Sequence, residues 1–154
     1  MSQVRTVLGD IDPTELGATY LHEHLIIDHP LVEDRFPHIH LPTAEDAIGE
    51  VGRCRAAGVG AMVDAMPCAS GRNVLKLAEV SRATGVHVVA ATGLHTAKYY
   101  AAAPWATALS PAALADLFTA DIEEGIDRFD YTGPVVERTP HRAGIIKVAT
   151  TGES

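Results

Sequence analysis

Cysteine and basic residues are both scarce in this chain of 154 residues. The two cysteines, Cys54 and Cys68, form no CxxC pair, which excludes a zinc ribbon and a thioredoxin-like redox motif. We expect both to be reduced thiols in the core. Because 12 Lys and Arg residues stand against 20 Asp and Glu residues, the formal charge is −8. That balance argues against a nucleic-acid partner, which would require a basic face.

Long apolar runs are missing as well. The longest uncharged stretch, Tyr99–Ala115, contains two prolines and is too short to span a bilayer. The first 15 residues carry four charged side chains, so we expect no secretory signal there. The sequence therefore predicts a cytoplasmic protein with no membrane partner. A hydrophobic content of 47% indicates a folded globular domain rather than a disordered chain.

Glycine-rich phosphate loops are absent: no GxGxxG follows a strand and no GxxxxGK[ST] occurs, which argues against a nucleotide-binding fold. What the chain does have is a regular alternation of strands and helices. After a lead-in strand or hairpin at 3–11, the pattern predicts strands at 18–27, 59–66, 86–91 and 143–149, helices at about 44–57, 73–84 and 111–126, and loops at 28–42, 92–109 and 127–142. Apolar strands separated by helices predict an α/β fold with a buried parallel sheet, either doubly wound or part of a barrel.

Two histidines lie at the predicted C-terminal end of the first of these strands. His22 and His24 are two residues apart, so on a strand their imidazoles share one face with Cα atoms about 7 Å apart. Two such imidazoles suit a borderline metal ion such as zinc. Glu23 points to the opposite face and is not predicted to be a ligand. The alternative is that both histidines are satisfied by backbone partners.

The other histidines are predicted to be unremarkable. His38 and His40 form a second HxH pair, but prolines flank it and it falls in a loop, where we expect solvated side chains. We expect the same of His29 and His141. His87 starts the third predicted strand, at the end opposite to the expected site.

Lys147 is the second informative residue, because it lies in a strand that is otherwise apolar. Lysine is rarely buried without a partner, and a buried neutral lysine is nucleophilic because its pKa is lowered. Three interpretations remain open. The side chain extends to solvent from a strand end, or it forms a Schiff base with a carbonyl substrate, or its amine has captured CO₂ and the resulting carbamate bridges two metal ions.

Four segments together resemble the phosphotriesterase family of the amidohydrolase superfamily. They are Leu21–Leu25, Gly71–Asn73, Ala91–Leu94 and the long Arg142–Gly152, and the similarity runs over nearly the whole chain. The resemblance implies a (β/α)₈ TIM barrel. Because a complete barrel needs about 250 residues, residues 1–154 would supply the N-terminal half of the domain, about the first four βα units.

The resemblance also implies a binuclear metal centre. His22 and His24 match ligands of the more buried ion, and Lys147 matches the carboxylated lysine that bridges both ions, which makes it a catalytic residue as well as a ligand. We expect zinc, with manganese or cobalt as the other possibilities. In the family, a hydroxide shared by the two ions attacks a phosphorus or carbonyl centre. Two further histidines and an aspartate come from strands five, six and eight, which this sequence does not contain.

Four further residues resemble family positions on weaker grounds. Asp64 would orient the ligand histidines from behind, or simply cap a loop. His95, Tyr99 and Tyr100 resemble a substrate-pocket segment, or pack as an ordinary aromatic loop.

The sequence therefore predicts a zinc-dependent hydrolase of a small-molecule lactone, carboxylic ester or phosphoester such as an organophosphate. It would act together with a C-terminal half or by self-association. The alternative is a non-catalytic half barrel that serves as a binding or oligomerising module.

Overall fold

The structure is a computed structural model that describes residues 2–101 and 103–150. It begins with a small antiparallel hairpin, β1 (Val4–Thr6) and β2 (Gly9–Ile11), which matches the predicted lead-in segment. The hairpin closes one end of the main sheet, where the Val7 amide donates to the Val88 carbonyl at 2.8 Å.

A four-stranded parallel sheet forms the centre of the described chain. Its strands are β3 (Ala18–Glu23), β4 (Val59–Asp64), β5 (His87–Leu94) and β6 (Ala143–Val148), in the spatial order β3-β4-β5-β6. Each strand pairs with its sequence neighbour, with no reversal of order along the sheet. A sequential order is that of a barrel segment, whereas a doubly wound sheet reverses at a switch point.

Helices connect these strands and cover the outer face of the sheet. They are α1 (Pro30–Arg35), α2 (Ala44–Ala56), α3 (Val74–Thr84), α4 (Trp105–Ala108) and α5 (Pro111–Glu123). The three long helices confirm the predicted ones. Asn73 caps α3 by accepting from the Lys76 amide, and Ser110 caps α5 by accepting from the Ala113 amide. No helix in the two described ranges is long and apolar enough to cross a membrane.

Two of the predicted loops are more ordered than expected. Residues 28–42 contain α1 and a 3₁₀ turn at Pro37–Ile39, and residues 92–109 contain the end of β5, a 3₁₀ turn at Ala97–Tyr100 and α4. Helix α1 begins at this point because His29 caps it: the His29 Nδ1 atom accepts a hydrogen bond from the Leu31 amide at 3.0 Å. A proline follows at the first helical position, where it favours a helix start.

The hydrophobic core lies between the sheet and helices α2 and α3. β4 is buried at every position, and apolar side chains from both helices pack against the strands. The largest fully buried members of this core include Ile26, Val51, Leu77, Val80, Val88 and Ile126.

The prediction that the first and last strands of the sheet are buried is wrong. Leu21 on β3 is 74% exposed, and Ile146 and Val148 on β6 are 57% and 59% exposed. These strands are the two edges of the described sheet, and its concave face is uncovered. A hollow of about 450 Å³ on that face is lined by side chains of all four strands, among them Thr19, Leu21, Val63, Val89 and Ile145. In a closed barrel, further strands would pair with both edges and fill this space.

Candidate metal centre

The candidate site lies at the carboxyl ends of the parallel strands. Glu23 at the end of β3 pairs with Asp64 at the end of β4, and Gly93 near the end of β5 pairs with Lys147 on β6. Because all four strands run in the same direction, their carboxyl ends meet at one edge of the sheet. His24 is the first residue after β3 and His95 the first after β5.

The His22 and His24 imidazoles lie side by side, as their spacing predicts. Their ring centroids are 5.4 Å apart and the rings are nearly perpendicular. The His24 Nδ1 atom is buried and has no hydrogen-bond partner among the described residues. The alternative interpretation, in which backbone groups form hydrogen bonds with both histidine rings, therefore does not account for His24. Its unpartnered ring nitrogen suits a metal ligand.

Lys147 on β6 acts electrostatically on His24 at the end of β3, although β3 and β6 are opposite edges of the sheet. Burial lowers the pKa of His24, and the positive charge of Lys147 lowers it further. The same two causes, in the same order, lower the pKa of His95 to about 4. Burial also lowers the pKa of Lys147 itself, while the Asp64 carboxylate acts in the opposite sense. The Lys147 amine is therefore within electrostatic range of His24 and His95 at this end of the sheet.

Gly93 on β5 allows the backbone of Lys147 on β6 to lie close to it. Its φ of +112° lies in a region that favours glycine, and a Cβ atom there would overlap the Lys147 carbonyl oxygen. The carbonyl carbon of Lys147 would be only 2.9 Å away. The glycine in the Ala91–Leu94 segment thus fixes the register that carries Lys147 to the site.

Asp64 holds the backbone that follows His24. One carboxylate oxygen accepts from the Leu25 amide at 2.7 Å and from Ile26 at 3.4 Å, while the other accepts from Met66 at 3.0 Å. Burial raises the pKa of this carboxyl to about 6. Its hydrogen bonds go to the main chain and not to an imidazole ring, so any orienting effect on His24 passes through the backbone.

The segment after β5 forms part of the rim of the site. The His95 ring lies 4.1 Å from the Tyr99 ring, which in turn lies 5.1 Å from the Phe36 ring, measured between centroids. Tyr100 is different, because it is only 3% exposed. Its hydroxyl accepts from the His95 amide at 2.7 Å and donates to the Cys68 carbonyl at 3.1 Å. That packing favours the alternative role for Tyr100, the anchoring of an aromatic loop, over substrate binding.

Not all of the remaining histidines are solvated. His38 is exposed, as predicted, but His29 and His141 are 7% and 8% exposed. His29 caps α1, and the His141 Nδ1 atom lies 2.6 Å from the Val7 carbonyl oxygen. The prediction of solvated side chains is therefore wrong for His29 and His141, because both rings are buried and form contacts with the backbone.

Sequence reasoning missed a buried ion network next to the site. The Arg72 side chain is fully buried and contacts two carboxylates: Nη1 lies 2.9 Å from an Asp121 oxygen and Nε lies 3.0 Å from an Asp130 oxygen. Nη1 also donates to the Ala91 carbonyl at 2.8 Å, and the Tyr131 hydroxyl donates to Asp121. The network ties α5 and the following loop to β5. The signal in the sequence was Asp121, one of two aspartates among the mostly apolar residues of α5.

The described residues do not by themselves form a metal centre. No three His, Cys, Asp or Glu side chains between residues 2 and 150, with residue 102 left aside, lie close enough together to hold a metal ion. His22 and His24 would supply two ligands. Lys147 could act as a third ligand only if its amine were modified to carry oxygen atoms. This donor set of two imidazoles and one carbamate fits part of a zinc site.

The chain belongs to the phosphotriesterase family, whose model matches residues 2–152. It is 37% identical over 151 residues to a phospho-furanose lactonase of Mycoplasmopsis synoviae, covering 95% of this chain and 42% of that protein. An amidohydrolase structure from Mycoplasma synoviae superposes with a TM-score of 0.84 at 36% identity, covering 94% of this chain and 42% of the other. A lactonase from Listeria monocytogenes gives a TM-score of 0.78 at 25% identity, with 94% and 46% covered.

The chain thus spans less than half the length of the relatives that it matches. These comparisons confirm the predicted family and the predicted barrel class of the fold.

Proposed function

We propose that this chain carries one half of the active site of a metal-dependent hydrolase. The observation that carries the proposal is the buried, unpartnered His24 Nδ1 atom beside the His22 ring at the carboxyl end of the sheet, where the charge of Lys147 also acts on His24. Family membership supports it. The proposed substrate is a small lactone, with a carboxylic ester or a phosphoester as the other classes, because two of the similar proteins are lactonases, one of them a phospho-furanose lactonase.

The proposed metal is zinc, with manganese or cobalt as the other candidates. Two bound divalent ions would polarise the scissile carbonyl or phosphoryl group and lower the pKa of a water molecule. His22 and His24 would hold one ion through ring nitrogens. The neutral Lys147 amine would capture CO₂, forming a C–N bond and releasing a proton, and the resulting carbamate would add oxygen ligands to the metal centre. His95 and Tyr99 would form a wall of the substrate pocket beside the ligands.

The other half of the site must come from strands that pair with the exposed edges. The concave hollow, whose lining includes Leu21 on β3 and Ile145 on β6, is the surface that such strands would cover. We propose that a C-terminal half of the barrel, or a second copy of this chain, supplies them. Until they are in place the ligand set is incomplete.

Metal analysis of the assembled barrel tests the proposal directly. We expect two equivalents of metal in the wild-type protein, a loss of metal and of lactone hydrolysis in His22→Ala and Lys147→Ala, and a circular dichroism spectrum close to that of the wild type. His38→Ala is the matched control, because His38 belongs to the other HxH pair and is exposed. Full turnover in the metal-free protein, or unchanged turnover in either ligand variant, would refute the proposal.

The uncovered apolar edges also favour a second function, that of a non-catalytic binding or oligomerising module. Under that alternative, the chain forms a stable self-associated species that binds no metal. Light scattering together with metal analysis separates the two functions, since only the hydrolase requires bound metal in the associated species.

A further inference from the structure

The ring of His95 is held in place by hydrogen bonds to the segment that follows β5. The Thr96 amide donates to the His95 Nδ1 atom at 2.7 Å, and the Thr96 hydroxyl oxygen lies 3.3 Å from the same atom. The His95 amide in turn donates to the Tyr100 hydroxyl, which donates to the Cys68 carbonyl in the core. Both the ring and the backbone of His95 are therefore fixed.

These contacts decide which nitrogen of the His95 ring carries the proton. A backbone amide can only donate, so Nδ1 must accept and has no proton of its own. In a neutral imidazole the proton then lies on Nε2. Burial, and after it the charge of Lys147, lower the pKa of His95 to about 4, so the ring is neutral at neutral pH. Because its Nε2 atom carries a proton, His95 offers an N–H donor there and not a lone pair for a metal ion.

The strand register places His95 at the carboxyl end of the sheet, next to the level of Lys147. Gly93 on β5 pairs with Lys147 on β6, and the pairing continues to Leu94 and Val148. His95 follows directly, so it lies one step beyond the last pair in the direction of the candidate site. No hydrogen bond among the described residues uses its Nε2 atom, and this atom is not one of their buried unpartnered atoms. The N–H group at Nε2 is thus available to a ligand.

We propose that His95 donates a hydrogen bond from Nε2 to an oxygen atom of the scissile lactone or ester group, and that the Thr96 amide holds the ring in the tautomer that can do so. The inference rests on the proposed hydrolase function and gives His95 a catalytic role distinct from that of the metal ligands. A fixed neutral donor stabilises the negative charge that develops on oxygen and does not have to release its proton. Thr96 acts only through the ring and is a positioning residue.

The tautomer is measured by NMR spectroscopy of the zinc-loaded assembled barrel with isotopically labelled histidine, since the chemical shift of each ring nitrogen shows whether it carries a proton. We expect a proton on Nε2 of His95 and none on Nδ1. His141 is an internal control with the opposite tautomer, because its Nδ1 atom lies 2.6 Å from the Val7 carbonyl oxygen and must donate to it. A proton on Nδ1 of His95, or a metal-bound Nε2, would overturn the proposal.

Thr96→Pro tests the source of the tautomer. It removes the amide donor with little strain, because the Thr96 φ of −65° is the value that proline requires. The His95 ring should then populate both tautomers. Thr96→Ala is the matched control, because it loses only the hydroxyl and keeps the amide, and it should retain the proton on Nε2. An unchanged tautomer in Thr96→Pro would refute the positioning role of the amide.

Contact between His95 and the substrate is tested with δ-valerolactam, which resembles δ-valerolactone but resists hydrolysis. Its carbonyl oxygen is its only acceptor for a ring N–H group. Addition of the lactam should shift the Nε2 resonance of His95 and leave the resonances of His141 unchanged. An Nε2 resonance that stays unchanged up to the highest lactam concentration would overturn the proposal.

Turnover of δ-valerolactone separates the role of His95 from the proposed function. We expect His95→Phe to lower kcat/KM by about 10-fold, which is within the contribution of one neutral hydrogen bond. His95→Gln should restore most of this loss, because the glutamine amide can place a donor near the Nε2 position. Both variants should retain the metal content of the wild type, since His95 is not a ligand.

Equal losses of turnover in His95→Phe and His95→Gln, or a loss of metal in either, would contradict the donor role. If the wild type hydrolyses no lactone, the hydrolase proposal fails. The lactam titration still decides in that case whether Nε2 of His95 donates to a bound carbonyl oxygen.

Discussion

Removal of the Arg72 guanidinium should be among the most destabilising single changes in this chain. The Arg72 and Asp121 side chains are fully buried and that of Asp130 is 10% exposed. Arg72→Met nearly preserves the volume but leaves Asp130 without a cation, Asp121 with Arg138 as its only cation, and the Ala91 carbonyl without the Arg72 donor. Breaking a buried ion pair from one side costs about 3–5 kcal/mol. We expect a loss of that size in the free energy of unfolding.

Urea denaturation followed by circular dichroism measures this loss. The control is Arg53→Met, since Arg53 forms an ion pair with Glu50 in which both side chains are about two-thirds exposed or more. Exposed pairs contribute about 0–1 kcal/mol, so the control should unfold close to the wild type. If Arg72→Met lies within about 1 kcal/mol of the wild type, the interpretation of the network as an essential link between β5 and α5 is wrong.

The same variant should show a characteristic pH dependence. Burial raises the pKa of Asp130 to about 6 even with Arg72 present, and loss of the guanidinium must raise it further. An acid with a raised pKa binds more protons in the folded than in the unfolded state, so stability falls as the pH rises above about 4. Below about pH 6, Asp130 is protonated in both folded proteins, so the deficit of Arg72→Met relative to the wild type should grow only as the pH rises above about 6. A deficit that is constant with pH would contradict the reasoning.

Two further predictions concern the glycine beside Lys147 and the two thiols. Gly93→Ala should lower the metal content and destabilise the fold by about 1–3 kcal/mol, because the Gly93 φ is +112° and a Cβ atom there would overlap the Lys147 carbonyl oxygen. The control is Gly52→Ala in α2, which should stabilise the fold slightly, because a Cβ atom at Gly52 would have no other atom within 4 Å. Equal metal content in the two variants would refute the positioning role. Cys68 is fully buried with its pKa raised to about 12, so a thiol reagent should label Cys54 in the folded protein and Cys68 only on unfolding. Mass spectrometry of the labelled protein checks this, and early labelling of Cys68 would contradict the packing.

Local patterns predicted the parts of the site that depend on local geometry. The i, i+2 spacing of His22 and His24 predicted adjacent imidazoles, and their rings are 5.4 Å apart. The helices at 44–57, 73–84 and 111–126 followed from caps and periodicity. Lys147 was identified because a charge in an apolar strand requires an explanation.

Long-range pairings account for most of what the sequence did not predict. Arg72 finds its carboxylates 49 and 58 residues further along the chain, and His141 reaches Val7 across 134 residues. Neither contact leaves a local pattern. The exposure of β3 and β6 was missed for another reason: burial of a barrel strand depends on the elements that pack against it, and an apolar strand has the same local pattern whether or not those elements are present.

Anomalous X-ray scattering at the zinc edge, recorded from crystals of the metal-loaded assembled barrel, tests the central claim most directly. The account predicts two anomalous peaks, one of them in contact with the His22 and His24 rings, and both bridged by continuous density that extends from the Lys147 amine. Zinc bound elsewhere, or an unmodified Lys147 side chain directed away from the two imidazoles, would contradict it.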